Sequence, residues 1–202
     1  MKLKVCGMTE LGNIQQLEQL QPDWMGLIFY PASPRFPENL KPVEIQAVDI
    51  KKVGVFVNES VDQILQTVSD WKLDLVQLHG DESVQQVKQL YNAGVKLIKV
   101  FRVKDRLPDD LTSYAPYVEM FLFDTLKSSA YGGTGEKFDW NLLKGYHLNL
   151  PYLLSGGVGP EDIAMIRQLQ LPGMIGIDLN SKVELSPGIK DIGKINMIIE
   201  KL

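Results

Sequence analysis

The sequence predicts a (β/α)₈ barrel of the TIM type, because eight short apolar runs recur along the chain at nearly constant intervals. Each run is mostly apolar on both faces, as is typical of parallel strands that are buried on both sides. Amphipathic stretches of helical period separate the runs, and a helix follows the last one. A chain of 202 residues can bury a sizeable core. We therefore expect one domain over residues 1–202, small for this fold.

The strands are predicted at residues 3–6, 24–29, 52–57, 74–79, 96–101, 119–124, 151–155 and 173–178. Their ends are taken at Cys6, Phe29, Val57, His79, Arg102, Asp124, Ser155 and Asp178. Successive ends lie 22 to 31 residues apart, which is the length of one strand–helix unit. An open doubly wound sheet is the alternative. It would be expected to carry a GxGxxG motif after an early strand, and the sequence has none.

Helices are predicted where apolar residues recur at every third or fourth position. The predicted helices are 11–20, 61–71, 83–94, 160–170 and 189–202. Gly94 is placed to end one of them, and Pro160 falls in the first turn of another. The weakest helical pattern lies in residues 105–116, which contain two prolines.

The two longest intervals between strands contain loops rich in Pro, Gly and Ser, at residues 30–42 and 125–140. They follow the second and sixth strands, so in a barrel they lie over the carboxyl-terminal face, where active sites of this fold are built. Polar strand-end residues converge on the same face. The candidate site residues there are Cys6, Arg35, His79, Asp124, Gly156, Gly157, Asp178 and Asn180.

Two segments near the end of the chain have the pattern of a phosphate site. In SGGV (155–158) two glycines precede a predicted helix, and glycine lets backbone N–H groups approach an anion. GIDLNS (176–181) closes the eighth strand with polar residues. Loops after strands seven and eight build the phosphate site of many barrels. Either segment alone could be an ordinary turn, but together they favour a phosphate site.

Cys6, Asp124 and Arg35 each allow two interpretations. The single Cys can pack as a small hydrophobe, or its thiol can face a pocket and exchange a proton. Asp124 can cap a loop or donate a proton, and Arg35 can be solvated or bind a carboxylate through two hydrogen bonds. A thiol and a carboxyl group beside a phosphate site would suit proton transfer on a small sugar phosphate.

Other residue types limit the possible sites. The chain has two His, and without clustered Cys or acidic residues they make a poor zinc site, so no metal is expected. Lys99 and Arg102 on the fifth strand are ambiguous, because only one face of a strand points into a barrel.

Composition argues against several classes of partner. The net charge is −4, the pI is about 5.3 and no basic stripe is present, which argues against a nucleic-acid partner. The apolar stretches fall short of the roughly 20 residues that span a bilayer, and the N-terminus lacks a signal-peptide core. One Cys cannot form an internal disulfide and suits a reducing compartment. We expect a cytoplasmic protein without membrane or nucleic-acid partners.

Eight segments, in order along the chain, resemble the phosphoribosylanthranilate isomerase family of tryptophan biosynthesis. They are KVCGMT, GLIFYPASPRF, VGVFVN, VQLHGDE, FLFDT, YGGTGEKFDW, LLSGGV and GIDLNSKVELSPGIKD. The resemblance implies an isomerase that converts N-(5′-phosphoribosyl)anthranilate to 1-(2-carboxyphenylamino)-1-deoxy-D-ribulose 5-phosphate without a cofactor. This is an Amadori rearrangement of an aminoaldose to an aminoketose.

The same resemblance implies roles for the site residues. Asp124 is expected to be the general acid that protonates the furanose ring oxygen, and Cys6 the general base that removes the C2′ proton. Arg35 is expected to hold the anthranilate carboxylate. The other expected substrate-binding residues are His79, the lid residues Gly133 and Gly135, and the phosphate-pocket residues Gly156, Gly157, Asp178 and Asn180. Members of the family occur as monomers and as homodimers, so either state is expected.

Two other functions remain as alternatives. One is another phosphate-binding barrel isomerase or epimerase. A metal-dependent epimerase needs several His and Asp at strand ends, where only His79 qualifies, and a two-Asp isomerase of histidine biosynthesis needs Asp at the position of Cys6. The other is a non-catalytic barrel that binds a phosphorylated ligand, which would lose no function on Cys6→Ala.

Overall fold

The structure, a computed structural model, describes residues 1–125 and 137–202. Eight strands in these residues form a barrel: β1 (Lys2–Cys6), β2 (Trp24–Ile28), β3 (Lys51–Phe56), β4 (Leu75–Leu78), β5 (Leu97–Val103), β6 (Met120–Thr125), β7 (Tyr152–Leu154) and β8 (Met174–Leu179). Each strand pairs in parallel with the next one along the chain, and β8 closes the barrel against β1. The predicted fold class is confirmed, and each strand begins and ends within two residues of its predicted bounds.

Helices surround the barrel. Those in the described residues are α1 (Leu11–Glu18), α2 (Pro42–Gln46), α3 (Val61–Trp71), α4 (Val84–Asn92), α5 (Leu111–Tyr114), α6 (Ile163–Leu169) and α7 (Ile192–Ile199). Short 3₁₀ helices cover Ala115–Tyr117, Trp140–Gly145 and Ser181–Val183. The five predicted helices are present, most with shorter ends, and residues 105–116 contain only the four-residue α5, as their weak pattern predicts. Within the described ranges, no helix has the length and hydropathy needed to cross a membrane.

Polar side chains determine where several helices begin. Ser60 Oγ accepts the N–H of Gln63 at the start of α3, which satisfies one of the backbone donors that a helix leaves unpaired there. α6 begins at Ile163, later than predicted, because residues 159–162 form a turn in which Gly159 N donates to Asp162 Oδ2 at 2.8 Å. The glycine pair at residues 156–157 therefore does not run directly into a helix.

A small antiparallel hairpin follows β8 and was not predicted. Its strands are β9 (Glu184–Ser186) and β10 (Ile189–Lys190). They are too short to show an alternating pattern in the sequence. Their importance lies in Glu184 and Lys190, which both contact candidate site residues.

Alternation along the strands separates the barrel interior from the layer between strands and helices. In β6, Met120 and Leu122 face the interior whereas Phe121 and Phe123 pack outward, so Asp124 ends the strand on the inner face. The apolar interior is formed by Trp24, Val53, Leu75, Ile98, Val100, Met120, Leu122 and Leu153. Because these side chains fill the lower part of the barrel, the polar strand-end residues gather above them at the carboxyl-terminal end.

Candidate active site

A cavity of about 620 Å³ opens at the carboxyl-terminal end of the barrel, within the size range of ligand pockets. All eight candidate residues in the described part of the chain line it, namely Cys6, Arg35, His79, Asp124, Gly156, Gly157, Asp178 and Asn180. The two lid candidates, Gly133 and Gly135, lie outside the described residues. Closure of the barrel thus brings together side chains that are far apart in the sequence.

Cys6 ends β1 on the inner face and is only 3% exposed. Gly26 of β2 lies beside it in register, and a Cβ atom on Gly26 would lie 2.6 Å from the Cys6 sulfur. The backbone oxygen of Gly26 also accepts the N–H groups of Gly7 and Met8. Gly26 therefore leaves room for the thiol and anchors the turn that follows it.

An ion pair lies on the inner wall beside Cys6. Lys4 Nζ is 2.8 Å from Asp178 Oδ1, and both side chains are buried. Burial acts to lower the pKa of Lys4, but the negative charges of Asp178 and Cys6 raise it overall, so the ammonium stays protonated. Because the Asp178 carboxylate is bound to Lys4 and repels anions, we expect Asp178 to assist a phosphate only through its backbone.

Glu184 of the hairpin holds Arg35. Nε and Nη2 of Arg35 donate to the two carboxylate oxygens of Glu184 at 2.8 and 2.7 Å. Lys190 Nζ also donates to Glu184 Oε1, at 2.7 Å, and to Asn180 Oδ1, at 2.8 Å. Burial acts to raise the pKa of Glu184, but hydrogen bonds from Arg35 and Lys190 lower it to about 2. The pair ties the loop after β2 to the segment after β8.

Glu184→Gln is expected to destabilise the fold at neutral pH and to do so less in acid. Since the pKa of Glu184 is lowered from 4.5 to about 2, its stabilising effect is present above about pH 4.5 and is lost as the pH falls toward 2. The difference in Tm between wild type and variant, measured by circular dichroism from pH 7 to pH 3, should shrink below pH 4.5. Glu161→Gln, at a carboxylate that is 60% exposed, should change Tm little at any pH. A Tm difference independent of pH would contradict this role of Glu184.

Asp124 and His79 lie next to each other at the ends of β6 and β4. His79 Nε2 is 3.2 Å from Asp124 Oδ2 but is not aligned for a hydrogen bond, and Asp124 Oδ1 accepts the N–H of Thr125 at 2.8 Å. Gln77 Nε2 lies 2.9 Å from His79 Nδ1. With Gln77 as the donor, a neutral imidazole carries its proton on Nε2, toward Asp124. This contact was not predicted from the sequence.

The segments after β7 and β8 form a polar rim on the cavity. Gly156 and Gly157 have φ angles of +88° and +76°, a left-handed conformation that favours glycine. Asn180 and Lys182 line the cavity from the other segment. Lys182 is an exposed cation that was not predicted from the sequence. Backbone N–H groups beside a cation make this rim suitable for a phosphate group.

The two ambiguous residues of β5 do not line this cavity. Lys99 faces outward, where its Nζ donates to Glu82 Oε2 at 2.8 Å and to a backbone oxygen of the same loop at 2.8 Å. Arg102 pairs with Asp81. Both residues hold the loop after β4, and thereby support His79 from outside the cavity.

Comparison with known proteins identifies the family. A family model described as N-(5′-phosphoribosyl)anthranilate (PRA) isomerase matches residues 3–201. The chain belongs to this family. The phosphoribosylanthranilate isomerase of Parabacteroides distasonis is 44% identical over 208 residues, an alignment that covers 100% of this chain and 93% of that protein.

Solved structures of phosphoribosylanthranilate isomerases share the fold. The crystal structure of the Thermotoga maritima enzyme has a TM-score of 0.83 and 31% identity, covering 100% of this chain and 98% of that chain. A second structure, in complex with reduced 1-(o-carboxyphenylamino)-1-deoxyribulose 5-phosphate, has a TM-score of 0.80 and 28% identity over 100% and 97% of the two chains. The family resemblance inferred from the eight segments is therefore confirmed.

Four charged residues in or beside the cavity were not predicted from the sequence: Lys4, Lys182, Glu184 and Lys190. Lys4 could have been predicted to lie near Cys6, because it is two residues before Cys6 and alternation places both side chains on the same face of the strand. The other three follow β8 in a segment that has no apolar periodicity from which their positions could be predicted. In residues 1–125 and 137–202, no group of three or more His, Cys, Asp or Glu is arranged to hold a metal ion.

Proposed function

We propose that this chain isomerises N-(5′-phosphoribosyl)anthranilate to 1-(2-carboxyphenylamino)-1-deoxy-D-ribulose 5-phosphate in tryptophan biosynthesis. The observation that carries the proposal is the placement of Cys6 and Asp124, from β1 and β6, in the wall of one cavity that also contains Arg35 and the polar rim. This arrangement offers a base, an acid and sites for the two anionic groups of the substrate. Membership of the family supports the same reaction.

Asp124 acts as the general acid that opens the sugar ring. Its carboxyl proton passes to the furanose ring oxygen while the bond from this oxygen to C1′ breaks, and the nitrogen lone pair forms a C1′=N bond. The product of this step is an open-chain Schiff base. Thr125 N–H holds Oδ1 of the carboxyl group, which leaves Oδ2 for the proton that is transferred.

Cys6 acts as the general base in the second step. The thiolate removes the proton from C2′, the C–H electron pair forms a C1′=C2′ bond, and the imine nitrogen takes up the displaced electrons. The resulting enolamine tautomerises to the ketone. Because burial raises the pKa of the thiol, the positive charges around Cys6 determine how much thiolate is present.

Arg35 and the polar rim bind the two ends of the substrate. The bidentate pair with Glu184 fixes the plane of the Arg35 guanidinium, and its Nη1 group lies outside that pair and is available for the anthranilate carboxylate. Backbone N–H groups of Gly156 and Gly157, with Lys182, bind the phosphate.

Gly26→Ala is expected to displace the thiol and to lower kcat by at least about tenfold. Its new Cβ would lie 2.6 Å from the Cys6 sulfur, closer than the two atoms can approach, and a misplaced catalytic group reduces the rate strongly. Gly54→Ala in β3 is the matched control, because its Cβ would overlap Leu73 at 2.4 Å on the outer face of the barrel. Both variants should lose about 1–3 kcal/mol of stability. Equal kcat values would contradict this role of Gly26.

The loss of substrate fluorescence tests the proposed reaction. Purified wild type is added to phosphoribosylanthranilate made in situ, and spontaneous decay is subtracted. We expect a decay rate proportional to enzyme concentration and competitive inhibition by reduced 1-(o-carboxyphenylamino)-1-deoxyribulose 5-phosphate, the compound bound by the related enzyme. Decay no faster than the spontaneous rate would overturn the proposal.

Several expectations stay predictions. They are the lid role of Gly133 and Gly135, the cytoplasmic location, the absence of cofactor, metal and nucleic-acid partner, and the monomeric or homodimeric state.

A further inference from the structure

We propose that Lys4 is a positioning residue of the reaction: its buried ammonium group, held by Asp178, stabilises the thiolate form of Cys6. This inference rests on the proposed role of Cys6 as the base. It assigns a function to a residue that does not line the cavity and that the substrate does not reach.

The barrel places Lys4 directly behind the thiol. Lys4 and Cys6 are two residues apart on β1, so their side chains share the inner face. The pairing of β1 with β8 sets Lys4 opposite Asp178, and the two side chains meet at 2.8 Å. Lys4 is 0% exposed, so water does not screen its charge.

A buried lysine at this position is costly for the fold. Desolvating an ammonium and a carboxylate usually offsets most of their attraction, and apolar residues of similar volume often stabilise a core as well or better. The neighbouring interior positions of the barrel are apolar, among them Val53, Leu122 and Leu153. An apolar residue at position 4 would continue that cluster, so the cost of the charge points to a role beyond stability.

The charged groups that act on Cys6, taken together with Glu184, carry an excess of one positive charge. Four charged groups act on the thiol: Lys4 from β1, Asp178 from β8, Lys190 from β10 and Arg35 from the loop after β2. Glu184 adds a second carboxylate, bound to both Arg35 and Lys190. Asp124 at the end of β6 and His79 after β4 act electrostatically on Asp178. Lys4, Lys190 and Arg35 are three cations, and Asp178 and Glu184 are two carboxylates. The negative charge of an ionised thiol balances this set.

Lys4 is the cation best placed to act throughout the reaction. Arg35 is bound to Glu184 and is expected to take up the substrate carboxylate, and Lys190 shares Glu184 and Asn180. Among the charges that act on the thiol, Lys4 lowers its pKa most strongly, ahead of the opposing effect of Asp178. Because Lys4 is sealed below the cavity, binding of the substrate leaves its charge in place.

Ultraviolet difference absorbance, in which the thiolate form of Cys absorbs more strongly than the thiol, tests the inference. The chain has one Cys, so the absorbance difference between wild type and Cys6→Ala titrates Cys6 alone. Lys4→Met should raise the thiol pKa by about one to three units, and Asp178→Asn should lower it. The acidic limb of the pH profile of kcat/KM should shift in the same directions. Lys99→Met is the matched control: it removes another buried lysine from an ion pair, at Glu82, but leaves the surroundings of Cys6 unchanged.

A second variant covers the case in which Lys4→Met does not fold because Asp178 is left unpaired. Lys4→Met/Asp178→Asn removes both charges and should still raise the thiol pKa, since the effect of Lys4 is the larger. A thiol pKa equal to that of wild type in the folded Lys4 variants would overturn the inference and leave the proposed reaction intact. A shifted thiol pKa with an unshifted pH profile would support the action of Lys4 on the thiol and overturn the role of Cys6 as base.

Discussion

Replacing Cys6 by Ala is expected to lower kcat by about two to four orders of magnitude, the contribution typical of a positioned general base. The sulfur atom takes the C2′ proton in the proposed reaction, and a methyl group has no lone pair to do so. The fold should remain, because Ala keeps the Cβ atom and only one buried atom is removed beside Gly26. Substrate fluorescence gives kcat, and circular dichroism and Tm on the same samples confirm folding.

Cys6→Ser is the matched control for shape. Its hydroxyl is close in size to the thiol, but its proton is far less acidic, so the Ser variant should be nearly as slow as the Ala variant. Wild-type turnover in Cys6→Ala would return Cys6 to a packing role, as the non-catalytic barrel alternative requires, and the base would have to be sought elsewhere in the cavity.

Replacing Asp124 by Asn should have an effect of similar size, a fall in kcat of about two to four orders of magnitude. An amide cannot deliver the carboxyl proton to the ring oxygen. The side-chain amide would keep an acceptor oxygen for Thr125 N–H, which Asp124 Oδ1 accepts at 2.8 Å, so the end of β6 should hold its shape. Because the proton is transferred only in the transition state, KM should change far less than kcat.

Asp109→Asn is the control for Asp124→Asn, because it also replaces one carboxylate by an amide. Asp109 is 82% exposed on the loop before α5, and its ion pair with Arg106 is solvated, so kcat should equal that of wild type. Near wild-type kcat in Asp124→Asn would contradict the acid role and make His79, 3.2 Å away, the next candidate for the acid.

Much of the barrel could be predicted because strands and helices are specified by local patterns. The run EMFLFD alternates large apolar side chains that pack on both faces of β6, and this places Asp124 at its end on the inner face. The even spacing of such runs placed Cys6 and Asp178 at strand ends in the same way. Where local signals are weak, the prediction failed: α2 and the hairpin of β9 and β10 were missed, and α6 begins later than its Pro suggests.

The sequence by itself determined the fold, the family and eight of the residues that line the cavity. The tertiary structure alone decided which of these residues touch. Arg35 meets Glu184 across 149 residues of chain, and Lys4 meets Asp178 across 174. No local pattern can encode such contacts, because they exist only when β8 closes against β1 and the hairpin folds back on the loop after β2. Periodicity reports which face a residue occupies, whereas its charge partner depends on how distant strands are brought together.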